Sequence, residues 1–234
     1  MDKFLAETGN GTRSQVRDFL KKGLVCVNGV RALRPDQKVE PEHDRVLLQG
    51  RELLYSRYAY FMLNKPAGLL SATEDRSQPT VRELIREDRH RELFPVGRLD
   101  KDTEGLLILT DDGPLAHRLL SPRHHVDKTY FASVGGQLPA DLPERFRRGM
   151  DIGDDKPTLP AELIIRREGN PSEVLVVLHE GRYHQIKRMF AAAGCEVLYL
   201  KRLAMGGLQL DPGLKPGDYR RLSREEEILL KETR

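Results

Sequence analysis

The sequence has no tryptophan, only two cysteines, and no apolar run near the ~20 residues that a membrane-spanning helix needs. Cys26 and Cys195 stand alone rather than in a Cys-x-x-Cys pair, which excludes a zinc site built on thiolates. Both lie among apolar residues, so we expect buried, reduced thiols and a cytoplasmic location. The first ten residues lack a basic stretch followed by an apolar one, so we expect no signal peptide.

The net charge is small, +3, but it is unevenly distributed along the chain. Residues 1–57 hold 11 lysines and arginines against 8 acidic residues, whereas the remainder holds 28 of each. The whole excess therefore lies in the first quarter of the chain. That quarter is the first candidate for contact with a polyanion. With 234 residues, the chain has room for one large domain or for a small and a medium one.

The segment from residue 13 to residue 34 predicts a helix followed by a β-hairpin. Ser14 is placed to cap a helix that runs to Lys22, and Gly23 ends it. Apolar runs on both sides of Asn28-Gly29 predict two strands joined by a tight turn, because this dipeptide tolerates the positive φ angles of such turns. Basic side chains of the helix predict an RNA-binding surface: Arg13, Arg17, Lys21 and Lys22. The competing interpretation is a solvated helix face.

After residue 57 the pattern changes to many short strands with helices at irregular intervals. Residues 49–57 are polar and predict a linker between a domain at 1–48 and a domain at 58–234. Strands are predicted at 58–63, 106–110, 128–134, 161–165, 173–178 and 196–201, and helices at 80–87, 114–120, 141–149, 183–193 and 223–232. Because strands and helices do not alternate strictly, we predict an α+β fold with a mixed, mostly antiparallel sheet.

The stretch GRLDKDTEG, residues 97–105, places an acid at every second position. These acids are Asp100, Asp102 and Glu104. Their spacing matches the start of an EF-hand calcium loop, but the twelfth position is Asp111 instead of glutamate. The flanking residues also predict strands and turns instead of helices, so we expect no metal. A polar turn with solvated acids is one remaining interpretation, and an attacking carboxylate beside Arg98 is the other.

Four motifs occur in a fixed order along the second domain: NKPAGLLSA (64–72), GRLDKDTEGLLILTDDG (97–113), SPRHHVDKTY (121–130) and EGRYHQIKRMF (180–190). Together they resemble the pseudouridine synthases of the small-subunit rRNA (A-type) family. The helix and hairpin of residues 1–48 resemble the S4-type RNA-binding domain. The resemblance implies an enzyme that breaks the N1–C1′ bond of a uridine, turns the base and rejoins it through C5. No redox step occurs, so we expect no cofactor.

The resemblance also implies roles for three catalytic residues. Asp100 matches the family's catalytic carboxylate, Tyr130 its stacking tyrosine, and Lys187 the cation that keeps the aspartate ionised. Arg188 is the competing partner of Asp100, because adjacent helical residues point about 100° apart and only one can face the pocket. The other two acids of the loop would then be solvated.

Four further side chains are expected to bind the substrate: Arg98, Ile186, Arg182 and Lys65. Arg98 would brace the space that the flipped uridine leaves, because a guanidinium both stacks on bases and binds phosphate. Ile186 matches the apolar residue that packs against the base. Arg182 is expected to meet an RNA phosphate, and Lys65 to shape the pocket wall.

We therefore predict a two-domain isomerase that converts a uridine of 16S rRNA to pseudouridine, in free rRNA or in an assembling small ribosomal subunit. We expect a monomer that needs no cofactor, metal or membrane. Two alternatives stay open. One is a large-subunit rRNA synthase of the same family, and the other is a noncatalytic RNA-binding assembly factor on the same scaffold.

Overall fold

A computed structural model describes residues 1, 4–5, 12–40, 43–53, 58–87, 91–121 and 124–233. The chain divides into two compact units, Met1–Tyr58 and Ala59–Arg234. Within these described ranges, no helix has the length and apolar character that crossing a bilayer requires.

In the described part of the first unit, a helix packs on a small antiparallel sheet. Helix α1 spans Arg13–Lys21, and the strands are β1 (Val25–Val27), β2 (Val30–Arg31), β3 (Val46–Leu48) and β4 (Arg51–Leu53), in the order β2-β1-β3-β4. Val16 and Leu20, one helical turn apart on α1, are buried in one cluster with Val25 and Val46 of the sheet. This spacing puts the apolar side chains on a single face of the helix, as packing against a sheet requires.

The predicted hairpin is confirmed. β1 and β2 are antiparallel with Val27 opposite Val30. Asn28 and Gly29 between them have φ angles of 51° and 82°, the left-handed conformation that this dipeptide favours in two-residue turns. The Asn28 side chain donates to the Asp44 carboxylate at 2.7 Å, which ties the turn to the segment before β3.

Two details of the first unit correct the prediction. Helix α1 is capped by Thr12 and not by Ser14. The Thr12 side chain accepts from the backbone N–H of Gln15, and the Gln15 side chain accepts from that of Thr12. The predicted linker at 49–57 contains strand β4, which pairs with β3 and belongs to the first unit. Its exposed, polar residues resemble a linker because they do not face the core.

The second unit is built on one sheet of nine strands. They are β5 (Tyr60–Lys65), β6 (Phe94–Pro95), β7 (Glu104–Thr110), β8 (Lys128–Gly135), β9 (Glu162–Arg167), β10 (Ser172–Leu178), β11 (Glu196–Met205), β12 (Leu208–Gln209) and β13 (Tyr219–Arg221). The main order is β13-β5-β7-β11-β8-β10-β9, with β12 beside β11 and β6 beside β7. Among the described strands, only the β7–β11 pair is parallel. The predicted α+β fold with a mostly antiparallel sheet is confirmed.

Four α-helices accompany this sheet: α2 (Gly113–Leu120), α3 (Leu142–Arg148), α4 (Gln185–Ala191) and α5 (Arg224–Glu232). Helix α3 packs on β9 and α4 packs on β11. The rings of Phe146 on α3 and Phe190 on α4 meet with their centroids 5.3 Å apart. Helix α4 is thereby held against the strand next to β7, which places its first turn near the loop that precedes β7.

The helix predicted at 80–87 is wrong. Only Val81–Leu84 form a short 3₁₀ helix, and Ile85 after it has an extended backbone with ψ of 104°. Strands β6, β12 and β13 were not predicted, because two or three residues are too few to show an alternating pattern.

Candidate active site

A cleft of about 650 Å³ in the second unit collects most of the residues that the sequence singles out. Residues 97–103 form one side, which we call the loop wall. The base is formed by Lys128 and Tyr130 of β8 with Leu200 and Arg202 of β11, which we call the sheet floor. In each strand these two residues are two positions apart, so their side chains stand on the same face of the sheet.

The loop wall is fixed next to its central carboxylate. The Ser71 hydroxyl donates to the carbonyl of Leu99 at 2.9 Å and accepts from the N–H of the same residue at 3.0 Å. With both backbone groups of Leu99 bonded, the following residue has little freedom to move. Asp100 follows directly and lines the cleft with a side chain that is 24% exposed.

Lys65, at the end of β5, holds the same loop from beneath. Its ammonium donates to the carbonyls of Asp100 at 3.1 Å, Lys101 at 3.2 Å and Thr103 at 2.9 Å, and to that of Pro66 at 3.1 Å. Burial lowers the pKa of Lys65 to about 8, although the carboxylates of the loop act against this shift. Lys65 was predicted to bind substrate. The structure corrects this, because the side chain is fully buried and its donors are used on the protein backbone.

Lys187, in the first turn of α4, lies between two carboxylates of the loop. Its ammonium is 3.4 Å from Asp100 Oδ2 and 2.6 Å from Asp102 Oδ1. Burial works to lower the pKa of Lys187, but the hydrogen bond to Asp102 and the charges of both carboxylates together raise it. The hydrogen bond from Lys187 lowers the pKa of Asp102. Asp102 was expected to be a solvated loop acid. Its side chain is 72% exposed, in line with that expectation, and it is also the closer partner of Lys187.

On the α4 side, His184 lies near Asp100 and Arg188 does not. His184, directly before α4, has a φ of 48° and brings its Nε2 to 3.7 Å from Asp100 Oδ1. Arg188 points away from Asp100, because its guanidinium donates to the carbonyl of Ile152 and to the carboxylate of Asp154. Of the two adjacent cations, Lys187 is therefore the one that faces Asp100.

The aromatic and aliphatic residues that the resemblance singled out lie together in the cleft. Tyr130 is 8% exposed and Ile186 is 4% exposed, and both line it. They come from β8 and α4, two elements about fifty residues apart in the chain, so only the folded sheet brings them together. The cleft thus offers a flat ring and an aliphatic side chain of the kind that sandwich a base.

The two arginines predicted to bind RNA differ sharply. Arg98 lines the cleft, is exposed, and makes no hydrogen bond or ion pair with any described residue. Arg182 instead donates to the carboxylates of Glu180 and Asp154 and to the carbonyls of residues 156 and 157. The prediction that Arg182 meets a phosphate is therefore corrected. Its charge is balanced by carboxylates, and its donors cross-link the segment before α4 to the segment before β9.

The third acid of the loop, Glu104, is half-buried and hydrogen-bonded, so it is not the fully solvated acid that was expected. Glu104 accepts from the hydroxyl of Tyr199 at 2.7 Å, and burial together with this hydrogen bond raises the pKa of Tyr199 to about 12. Asp111, at the twelfth position of the calcium-like spacing, accepts from Arg91 at 2.6 Å. Within the described residues, no three histidine, cysteine or acidic side chains gather where they could hold a metal ion.

Two cations of the sheet floor were missed by the sequence analysis. Lys128 and Arg202 are buried and line the cleft beside Tyr130. A signal existed for Lys128, since it stands two residues before Tyr130 in a strand and must share its face. No comparable signal marked Arg202, because the sequence does not reveal that β11 lies beside β8.

On the first unit, the side chains of Arg17, Lys21 and Lys22 are exposed along α1. The side chain of Arg13, the fourth predicted RNA-binding residue, lies outside the described part of the chain.

Comparison with known proteins follows the same division into two units. Residues 59–192 match the family model described as RNA pseudouridylate synthase, and residues 1–46 match the S4 domain. The uncharacterized RNA pseudouridine synthase YtzG of Bacillus subtilis is 45% identical over 234 residues, covering 99% of this chain and 98% of the relative. The ribosomal small subunit pseudouridine synthase A of Escherichia coli is 40% identical over 228 residues, covering 97% of each chain.

A solved structure agrees with these matches. The crystal structure of a pseudouridylate synthase is similar over 98% of each chain, with a TM-score of 0.68 and 36% sequence identity.

Proposed function

Because this chain belongs to the RNA pseudouridylate synthase family, we propose that it converts one uridine of small-subunit (16S) rRNA to pseudouridine in the cytoplasm without a cofactor. The observation that carries the proposal is the arrangement around Asp100. One carboxylate projects from a fixed loop into a cleft, next to a cation and opposite a buried tyrosine. The choice of 16S rRNA is supported by relatives of about 40% identity that are named for the small subunit.

Asp100 acts as the nucleophile in this reaction. Its carboxylate donates an electron pair to C1′ of the uridine, and the N1–C1′ bond breaks with its electron pair retained by the ring. Lys187 pairs with Asp100 and holds its carboxylate in the cleft, since the ammonium lies 3.4 Å from Oδ2. The freed ring turns in the cleft and C5 donates an electron pair to C1′, which releases the carboxylate.

The target uridine leaves its base stack before it enters the cleft. Tyr130 stacks on the uracil, and Ile186 packs on it from α4. Arg98 at the exposed edge of the cleft has a free guanidinium for a neighbouring base or phosphate of the RNA. These contacts hold the ring during the interval in which it has no covalent bond to the ribose.

The S4 unit binds the RNA through the exposed basic residues of α1. Lysine and arginine side chains that neutralise phosphates release counterions, so binding weakens as the salt concentration rises. Replacing Arg17 and Lys21 by methionine should flatten the plot of log affinity against log salt by ~0.7 for each phosphate that the protein no longer neutralises. An unchanged slope would show that this face does not contact the RNA backbone.

The decisive experiment replaces Asp100 by asparagine, which keeps the shape of the side chain but cannot act as a nucleophile. We expect RNA affinity near that of the wild type and a fall in turnover of at least about 100-fold, since the attacking group is lost. Turnover is followed by tritium release from C5-labelled uridine in rRNA. Asp155→Asn is the matched control, because this exposed aspartate lies outside the cleft and should leave turnover unchanged.

Mapping the product on ribosomal RNA tests the substrate. Pseudouridine at one position of 16S rRNA, absent when Asp100→Asn replaces the wild type, is the expected result. Modification of 23S rRNA would instead identify a large-subunit enzyme. RNA binding without any pseudouridine would identify a noncatalytic assembly factor.

A further inference from the structure

The sheet floor contains two buried cations that face the same space as Asp100. Arg202 of β11 stands opposite Tyr130 of β8 in the antiparallel register, and Lys128 stands two residues before Tyr130. Arg202 is 2% exposed and Lys128 is 8% exposed, yet both line the cleft. Charged side chains are rarely buried to this extent without an oppositely charged partner.

Arg202 is incompletely bonded within the protein. Its Nε donates to the carbonyl of Leu106 at 2.7 Å, which fixes the direction of the guanidinium. Its Nη2 is buried and has no hydrogen-bond partner in the part of the chain that the structure describes. The hydroxyl of Thr103, at the end of the loop wall, lines the same cleft and is likewise buried without a partner. Unpaired buried polar groups are costly, so two of them in one cleft point to a polar ligand.

Lys128 also lacks a carboxylate of its own. Its ammonium donates to the backbone carbonyl of Val126 at 2.8 Å and forms no ion pair with a described residue. The two carboxylates that influence it are engaged elsewhere, Asp127 by His179 at 2.7 Å and Glu180 by Arg182 at 3.0 Å. Burial, and next the charge of Arg202, lower the pKa of Lys128 to about 8. The two cations therefore repel each other, and neither forms an ion pair with a carboxylate in the part of the chain that the structure describes.

The depth of these groups decides which anion they serve. An RNA phosphate stays with the strand at the rim of the cleft, where Arg98 and Lys101 are exposed. A base that has left its stack is the part of the substrate that reaches the floor beside Tyr130.

We propose that Lys128 and Arg202 bind the oxygens of the uracil ring and stabilise its negative charge between cleavage of the N1–C1′ bond and formation of the C5–C1′ bond. The proposal rests on the function proposed above. When Asp100 bonds to C1′, the electron pair of the N1–C1′ bond stays on the ring, whose charge spreads over O2 and O4. When C5 then bonds to C1′, the carboxylate leaves with its electron pair. The proton on C5 is lost to water, and N1 takes one up.

The test compares Lys128→Met and Arg202→Lys in the full-length protein with the wild type. Arg202→Lys keeps the charge and avoids the folding risk of an apolar residue at this position. Each protein is assayed on RNA with uridine at the target and on RNA with 5-fluorouridine there, because the fluorine stabilises the departing ring anion. Single-turnover cleavage is followed as loss of the starting nucleoside after digestion, and RNA affinity is measured separately. Lys201→Met is the matched control, since its side chain is on the opposite face of β11.

We expect Lys128→Met to slow cleavage of the uridine substrate by about 100-fold, the usual effect of losing one donor to a developing anion. The loss should shrink to about tenfold or less on 5-fluorouridine, with RNA affinity unchanged. Arg202→Lys should show the same substrate dependence with a smaller loss, and Lys201→Met should show neither.

Equal losses on both substrates would overturn the proposal, because they would indicate damage to the cleft and not loss of charge stabilisation. Weakened RNA binding with a flatter salt dependence and an unchanged rate would also overturn it, since the cations would then serve a phosphate. Failure of the proposed function is distinguishable, because the wild type itself would then leave uridine intact in every RNA.

Discussion

The two sides of the cleft treat charge in opposite ways. On the loop wall, Asp100 and Asp102 share Lys187, and Lys65 is surrounded by four carbonyls. On the sheet floor, the acceptors of Lys128 and Arg202 among the described residues are backbone carbonyls. A wall that is complete before the RNA arrives loses little energy to rearrangement during the reaction. The cations of the sheet floor have no such carboxylate partner among the described residues. Under the proposal above, their attraction to the uracil ring is strongest while the ring is negatively charged.

The largest effect should come from removing the lysine that supports the loop wall. Lys65→Met removes the ammonium that holds the carbonyls of residues 100, 101 and 103. Leaving buried carbonyls without a donor should lower the free energy of unfolding by about 3 kcal/mol. Displacement of Asp100 by about 1 Å should reduce the single-turnover rate by at least about 100-fold.

Chemical denaturation and single-turnover kinetics measure these two effects separately. Lys215→Met is the control, because this exposed lysine of the same unit lies outside the cleft and does not support the loop. A Lys65→Met protein with wild-type rate would mean that the wall keeps its geometry without its central donor.

The next effect concerns Lys187, the cation that pairs with the carboxylates of the loop wall. Lys187→Met should slow the reaction by about 30-fold, equivalent to about 2 kcal/mol of activation free energy, because Asp100 loses the cation that pairs with its carboxylate and holds it in place. Lys187→Arg should retain most activity. Arg188→Met should retain the rate but lose stability, since its donors bind Ile152 and Asp154. A slow Arg188→Met protein with normal stability would reverse the assignment of these neighbours.

The wall was more predictable from the sequence than the floor. GRLDKDTEG and HQIKR are long motifs, and they led to Asp100, to Lys187 and to the choice between Lys187 and Arg188. The roles proposed for these residues in catalysis remain predictions. The support beneath the loop was not predictable, because Lys65 binds backbone carbonyls, and a sequence does not show where carbonyls point.

The floor depends on which strands are neighbours. Arg202 stands in a strand of alternating character, where a charged residue normally indicates the solvent face. It becomes a buried residue of the cleft because its guanidinium turns toward β7 and donates to the carbonyl of Leu106, and the sequence does not show that β7 lies beside β11. The fold class was predictable because local patterns indicate helices and strands. The strand order was not, because it depends on contacts between residues that are far apart in the chain.

Alkaline pH should slow the reaction by removing a proton from one lysine beneath the loop wall and from another on the sheet floor. The pKa values of Lys65 and Lys128 are both about 8, mainly because burial disfavours the ammonium form. Both lysines need their proton, one to donate to four carbonyls and the other to stabilise an anion. The single-turnover rate should therefore fall by about 14-fold between pH 7 and pH 8.5, and by only about fourfold in Lys128→Met, which retains one of the two ionisations.

This fall in rate should not reflect unfolding. Between pH 8 and about 10.4 the unfolded chain holds more protons on these two lysines than the folded chain. Their contribution to the free energy of unfolding therefore rises with pH over that window. Circular dichroism at each pH distinguishes the cases, and a fall in rate that follows a decrease in ellipticity would contradict the ionisation of these lysines as its cause.

The smallest effect separates Arg98 from Arg182. Arg98→Met should weaken RNA binding by about threefold at moderate salt and flatten the salt dependence by ~0.7, as expected for one phosphate. Arg182→Met should leave the salt dependence unchanged and lower the melting temperature, because its guanidinium binds Glu180 and Asp154. A flatter salt dependence in Arg182→Met would return that residue to the RNA-binding surface.

The parallel pairing of β7 with β11 affects the order in which the parts of the cleft assemble. Glu104 and Lys201 are partners in this pairing although roughly a hundred residues separate them, so the contact forms late in folding. On the ribosome, Asp100 is synthesised well before Arg202. An unfinished chain thus carries Asp100 without the two cations of the sheet floor. The complete cleft therefore exists only when most of the chain has been synthesised.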